Sequence, residues 1–572
     1  MGLSPLWQKI DDHQNPVLVK EIRQAVRSRF VVASLVVLLL LLVFGSGAFI
    51  LDRNLASGGF QSHGRKMFVV MYAMLMGITA AFVPIYTAIR FVGERNHNST
   101  DLMFITTIHP NKVIAGKVMV GMVISLMLFS VCAPFLFFSY LLRGIEIPTV
   151  MLILALSFLL VMGLIYVMIL LSSLSVNRLM RTLFALASLF MLFRAVVGAV
   201  VIAEDLTRSG IQQILSDPTA LPAFLALLVS YLCHLVLVHF ICVALIAPTW
   251  HNKMLPVRGI MAVIWLITLS INYSLAARFP SEFLLLTLFT GLGYAALVLL
   301  TAISEREDPG PRVRRQIPKN PILRPIAFLF YSGLAGGILW SMLIAALSIW
   351  FFTHMYSLRS GVLAGLGRGF SFLPIYSLTL YGFAYCFFAL FLQRSLLKNR
   401  IHPNQTWALA GILIAVGTIL PLIFGFFKPN SWRDPLAWKT GVFFDTVHRD
   451  RMDWHVLASS ILFAISLILI FHILLRSAKY FRRLEGNSAE ESDAFDDGLS
   501  PQAATHGLGA APTLPEPRAS SIGVGQDRPQ AEEAGAASQA NMPEPEAENT
   551  SSSPDTLGSI SNPIITPPED PA

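Results

Sequence analysis

The chain has 572 residues, of which 55% are apolar and 13% charged, against ~25% charged in an ordinary soluble protein. That balance excludes an array of soluble domains. The apolar residues gather in runs of about 20, long enough to cross a hydrocarbon core of ~30 Å as helices, so the fold class is all-α and polytopic in the membrane. The net charge of +8 hides an asymmetry: residues 1–485 hold 40 Lys/Arg against 19 Asp/Glu, and residues 486–572 hold 2 against 15. Anionic lipid beside the membrane loops accounts for the basic excess without a nucleic-acid partner.

Residues 1–29 precede the first apolar run and contain "NPVLVKEIRQAVRSRF", residues 15 to 30. Pro16, after Asn15, suits a first helical position. Leu18, Ile22 and Ala25-Val26 make one apolar stripe, while Lys20, Arg23, Arg27 and Arg29, with Glu21 among them, make the segment basic and amphipathic. A helix of that kind lies in the membrane interface. The run that follows is too long for the apolar core of a signal peptide and 29 residues precede it, so it reads as a retained span.

Twelve spans are predicted, at roughly 30–51, 67–89, 118–142, 150–172, 182–203, 221–247, 259–276, 283–303, 326–352, 370–392, 406–427 and 455–475. The alternate loops that include both termini hold 26 Lys/Arg and the opposite set 13, which places both termini in the cytoplasm.

Between the second and third spans lies "GERNHNSTDLMFITTIHPNKVIAGK", residues 93 to 117. Ser99 or Thr100 can cap a short helix with Asp101 in its first turn, where a negative charge suits the helix dipole. Leu102, Met103, Ile105 and Ile108 give it one apolar face, Pro110 stops it, and Lys117 reads as a cation at the interface opening the next span. Such a helix is too short to cross the bilayer and needs a protein or headgroup cover.

This segment resembles the loop between the second and third spans of type-2 ABC transporter permeases, in Glu94-Arg95, Ser99-Thr100-Asp101, the turn from Thr107 to Pro110 and Gly116-Lys117. The stretch "VCAPFLFFSYLLRGI" is similar to that family's third span and outer loop, and Asn15, Pro16, Lys20, Glu21 and Arg23 match its N-terminal elbow helix. The resemblance implies an exporter permease in a bacterial cytoplasmic membrane, with a separate ATPase subunit docked on residues 93–112. ATP would then enter only through that partner, and a second permease is the expected homo- or heterodimer mate. The resemblance covers residues 15–145 well and extends more loosely to about 247.

The domain plan that follows has an N-terminus at 1–29, a six-span core at 30–247 and two further spans with a basic linker at 248–325. Four C-terminal spans at 326–485 and a disordered acidic tail at 486–572 complete it. Asn15-Pro16-Val17-Leu18 and Asn320-Pro321-Ile322-Leu323 hint at a repeat, but only four spans follow the second copy; a full duplication fails and the likeness reads as coincidence.

No phosphate-binding G-x-x-x-x-G-K-[ST] and no hydrolase or zinc signature occurs, so no catalytic residue, metal or cofactor is expected in this chain. Arg194 is the one basic charge well inside a span; it is expected to face the bundle and pair with Glu204, Asp205 or backbone carbonyls, with a transport role as the alternative. His234 and His239 read as packed or pore-lining neutral histidines, and the four cysteines as core or lipid-facing residues. Two rival classes stay open, beside a non-transporting scaffold with an acidic tail. A secondary transporter fits the span count, and a membrane enzyme would use the outer loop 428–454, with Asp434, Asp445, Asp450 and Asp453 among tryptophans that also serve as interface anchors.

Overall fold

The computed structural model describes residues 16–51, 60–96, 109–142, 145–174, 178–248, 251–275, 282–305, 307, 309–358, 373–398, 400, 402–427 and 452–482. Among these the chain is helical and without strands. A short helix α1 (Pro16–Val26) leads into α2 (Arg29–Leu51), α3 (Phe60–Asn96), α4 (Pro110–Leu141), α5 (Ile147–Ser173), α6 (Arg178–Ser216), α7 (Ala220–Ile246), α8 (Met254–Leu275) and α9 (Glu282–Ala302). Two short helices, α10 (Pro311–Arg315) and α11 (Leu323–Phe330), precede α12 (Leu334–Leu358), α13 (Leu373–Ser395), α14 (Thr406–Phe427) and α15 (Met452–Tyr480).

Eleven of the described helices are long and apolar enough to span a membrane, and α14 adds a shorter apolar stretch, Thr406–Ile419. The chain is a multi-pass membrane protein. Its burial pattern fits lipid as solvent: on α2 a narrow stripe of Val31, Ser34, Leu38 and Leu42 is buried, while Val32, Val36, Leu39, Leu40 and Val43 face outward. A helix satisfies its own backbone, so apolar side chains can face lipid at no hydrogen-bonding cost.

The helices pack as two groups with α7, α8 and α9 between them. One apolar core runs from α1 to α7 and is centred on α3, which packs against α4, α5, α6 and α2. A second joins α9 to α12, α13, α14 and α15. A third, around Trp265, Tyr294 and Trp340, stitches α7 and α8 to α9 and α12. Polar bonds also cross these cores: Tyr72 and Ser157 hydroxyls meet at 2.6 Å, and the Trp265 ring N–H donates to Ser348 Oγ at 3.0 Å.

Three helices run well past their predicted spans, α4 among them, since it starts at Pro110. α3 extends from Phe60 to Asn96, so Glu94 and Arg95 stand on its last turns and not in a loop. α6 breaks at Gly210, whose φ of 72° belongs to the left-handed region that costs glycine least. Beyond that break the Ile211 N–H donates to Thr149 Oγ1.

Candidate functional site

One end of the first helix group holds a buried ion cluster. Pro110 opens α4 at a position where its missing N–H is no loss, and two turns later the helix carries Lys117. The Lys117 side chain is 2% exposed. Its ammonium donates to Glu21 Oε1 of α1 at 2.8 Å and pairs with Glu94 Oε2 of α3 at 2.7 Å, with the Phe91 ring 5.7 Å away. Beside it Arg90 Nη2 donates to Gln24 Oε1 at 2.6 Å. Three elements far apart in sequence thus meet on one cation.

The electrostatics follow from burial. A desolvated ammonium is expensive unless paired and hydrogen-bonded, and Lys117 has two carboxylates for that purpose. Those carboxylates would repel one another without it. Glu21 is 11% exposed and Glu94 32%, so Glu94 is the looser, more hydrated end of the clamp.

The same end of α4 is fastened elsewhere. Asn111 Oδ1 lies 2.6 Å from His239 Nε2 on α7, and His239 Nδ1 lies 3.3 Å from the Tyr166 hydroxyl of α5. His234 bonds the Ser230 carbonyl and the Tyr294 hydroxyl, at 2.7 and 2.9 Å. Both histidines are therefore packed and bonded. The turn His109–Lys112 is held to α1 and α3 through Lys117 and to α7 through Asn111, with His109 and Lys112 themselves exposed.

The expected site residues fall out unevenly. Glu94 and Glu21 come together. Lys20 and Arg23 are exposed on α1, Pro16 is its first residue, and Leu18 and Ile22 pack on the core with Ala25 buried. Val26, expected in the apolar stripe, is exposed. The backbone of Arg95 belongs to α3. Asn15, the short helix expected at residues 99–108 with Ser99, Thr100 and Asp101, and the tail 486–572 lie outside the described residues, as do Asp434, Asp445 and Asp450.

Arg194 departs from expectation. It is exposed on α6 and turned away from the bundle, and Glu204 pairs instead with Arg208 one turn along. The same helix lines an apolar groove of about 860 Å³ against α3, with Gly77, Ala81, Leu186, Phe190 and Phe193 in its walls. The physical reason is spacing: the carboxylates at 204 and 205 lie ten and eleven residues away, about 15 Å along a helix and beyond reach of an arginine side chain.

A second polar knot, missed in the sequence, follows α9. Arg258 of α8 is fully buried; its guanidinium donates to the Leu329 and Tyr331 carbonyls and lies 3.4 Å from Glu305 Oε2, which also accepts the Gly333 N–H. Glu307 lies 3.6 Å from both Arg394 and Arg476. The signal was the acidic pair in "SERED" just past a span, at the depth where Arg258, Arg394 and Arg476 end or begin theirs. No metal-competent cluster of His, Cys, Asp or Glu occurs among the described residues.

Comparison with known proteins gave no matching family model, no matching curated protein and no matching solved structure.

Proposed function

We propose that this chain is the membrane-spanning subunit of an ABC-type exporter in a bacterial cytoplasmic membrane, with both termini in the cytoplasm and a separate ATPase seated on residues 93–112. The observation that carries the reading is the Lys117 cluster. The segment whose sequence resembles a docking loop emerges from α3 and returns into α4, and the charge at each root, Glu94 and Lys117, is one of a clamped pair. The third member, Glu21, belongs to the helix that resembles the family's elbow.

A mechanism follows from that geometry. A partner that grips the 93–112 loop differently with and without nucleotide shifts the bundle between two states, since only differential binding moves such an equilibrium. Pull or push on the loop reaches Glu94 first, passes through the buried ammonium to Glu21, and reorients α1 in the interface. The Asn111–His239 contact carries the same displacement to α7. This chain supplies the path and the coupling; nucleotide chemistry belongs to the partner.

The test separates grip from transmission. Charge reversal, Glu94→Lys with Arg95→Glu, lowers ATPase co-purification from native membranes. Lys117→Met leaves the ATPase bound and reduces transport by about tenfold, within the range of coupling free energies. Unchanged association in the first variant together with unchanged transport in the second removes the reading.

A further inference from the structure

The elbow likeness between residues 15–18 and 320–323 is accompanied by a second one. Ile108-His109-Pro110-Asn111 is matched by Ile401-His402-Pro403-Asn404. The two motifs occur in the same order in each half, 93 residues apart in the first and 81 in the second.

Their structural places correspond. Pro16 is the first residue of α1, which leads into α2; Asn-Pro-Ile-Leu runs into α11, whose first residue is Leu323 and which leads into α12, with the Asn320 side chain accepting the Ile322 N–H at 3.0 Å. Each His-Pro-Asn sits where the chain enters the third span of its half. His109 has φ −68° and ψ 140°, and His402 has φ −66° and ψ 141°. In both turns the N–H three residues on donates to the histidine carbonyl at 2.9 Å, from Lys112 and from Gln405. A proline-led helix start is common. Coincidence would not also supply the surrounding pattern: α3 packs on α4 and α5, and α13 packs on α14 and α15.

The charge at the end of each second span is clamped as well. Glu94 meets Lys117, which holds Glu21 from the segment before α2. Arg394 meets Glu307 from the segment before α12, and Arg476 joins it from α15. The signs are exchanged and the places only partly match: Glu307 precedes α10, ahead of the segment that matches α1, and Arg476 sits on the fourth span of its half where Lys117 sits on the third. The halves also differ. α2 packs on α3 and α4, whereas α12 packs chiefly on α9 and on α15, and six residues separate Ser395 from His402 where twelve separate Asn96 from His109.

We infer that α11–α15 are a divergent second copy of α1–α5, with α6–α10 between, and that the turn His402–Gln405 is a second docking point for the same kind of ATPase subunit. The four-span unit removes the objection that only four spans follow the second motif. Eight spans precede the second copy, so both copies start from the same side, a parallel repeat, and both turns face one compartment. His402 and Gln405 are exposed like His109 and Lys112. One chain then presents two motor sites, and this inference rests on the reading proposed above.

Native mass spectrometry of the complex from mild detergent tests it by stoichiometry. Two ATPase subunits per single copy of this chain are expected. The exposed double variant His402→Glu with Gln405→Glu halves that number, as does His109→Glu with Lys112→Glu, and the four changes together abolish binding. A wild-type complex with equal numbers of both subunits, or two ATPases retained by the His402/Gln405 variant, overturns the second site and leaves the first. Absence of any ATPase after crosslinking in the membrane overturns the proposed function and this inference with it.

Discussion

Arg258 and Glu305 show how far burial governs single residues here. Burial pushes the Glu305 carboxyl above the usual carboxylate range, and Arg258, the Gly333 N–H and Lys253 pull it back. A carboxyl with a raised folded pKa contributes stability that is complete below its unfolded pKa of ~4.3 and is lost as pH rises through the folded value. Arg258→Met removes the main opposing charge and leaves two carbonyls without a donor. We predict a loss of about 3–5 kcal/mol at pH 8 and a smaller loss at pH 5, because a raised carboxyl pKa favours the neutral form of Glu305 as the pH falls. Unfolding midpoints in detergent at the two pH values measure this; equal losses contradict it. The Lys117 clamp was half legible at this scale. Glu21 and Glu94 stood out by their place in recognisable segments, but nothing local says that a lysine opening a span turns inward. Its partners are 96 and 23 residues away. Arg194 reads the other way: its sequence neighbours suggested a partner that helix geometry puts out of reach.

At the scale of elements, hydrophobic run length located the spans, because a helix crossing ~30 Å of hydrocarbon must be apolar for about 20 residues whatever it packs against. It failed at the ends, where α3 continues to Asn96. Beyond the bilayer a helix is limited by capping and tertiary contact, and the Arg90–Gln24 and Glu94–Lys117 contacts supply that support. The basic amphipathic pattern of α1 was legible apart from Val26. The junction of α11 and α12 was not. There Gly336 lies so close to the preceding helix that a Cβ would run into the Phe328 carbonyl oxygen, a backbone atom that cannot swing aside. Gly336→Ala should therefore cost roughly 1–3 kcal/mol, despite alanine's better helix propensity. A thermal shift upward would show that the two helices separate freely.

For the whole molecule, composition alone decided the membrane class, since no soluble arrangement buries so many apolar residues with so little charge. What it could not give is the grouping of the spans. Two helix cores joined by α7, α8 and α9 depend on which faces meet, and in lipid every face is apolar, so periodicity carries little information about packing partners. The function depends on a similar step. The loop resembles a docking segment, the Lys117 clamp gives it a mechanical path, and the claim that joins them is that an ATPase touches this end of the protein. The most direct measurement is site-specific photocrosslinking in native membranes from His109, which is exposed on the turn. The account predicts an adduct with an ATPase subunit whose yield changes when a non-hydrolysable ATP analogue is added. Adducts with lipid alone, or an ATPase adduct indifferent to nucleotide, would contradict it.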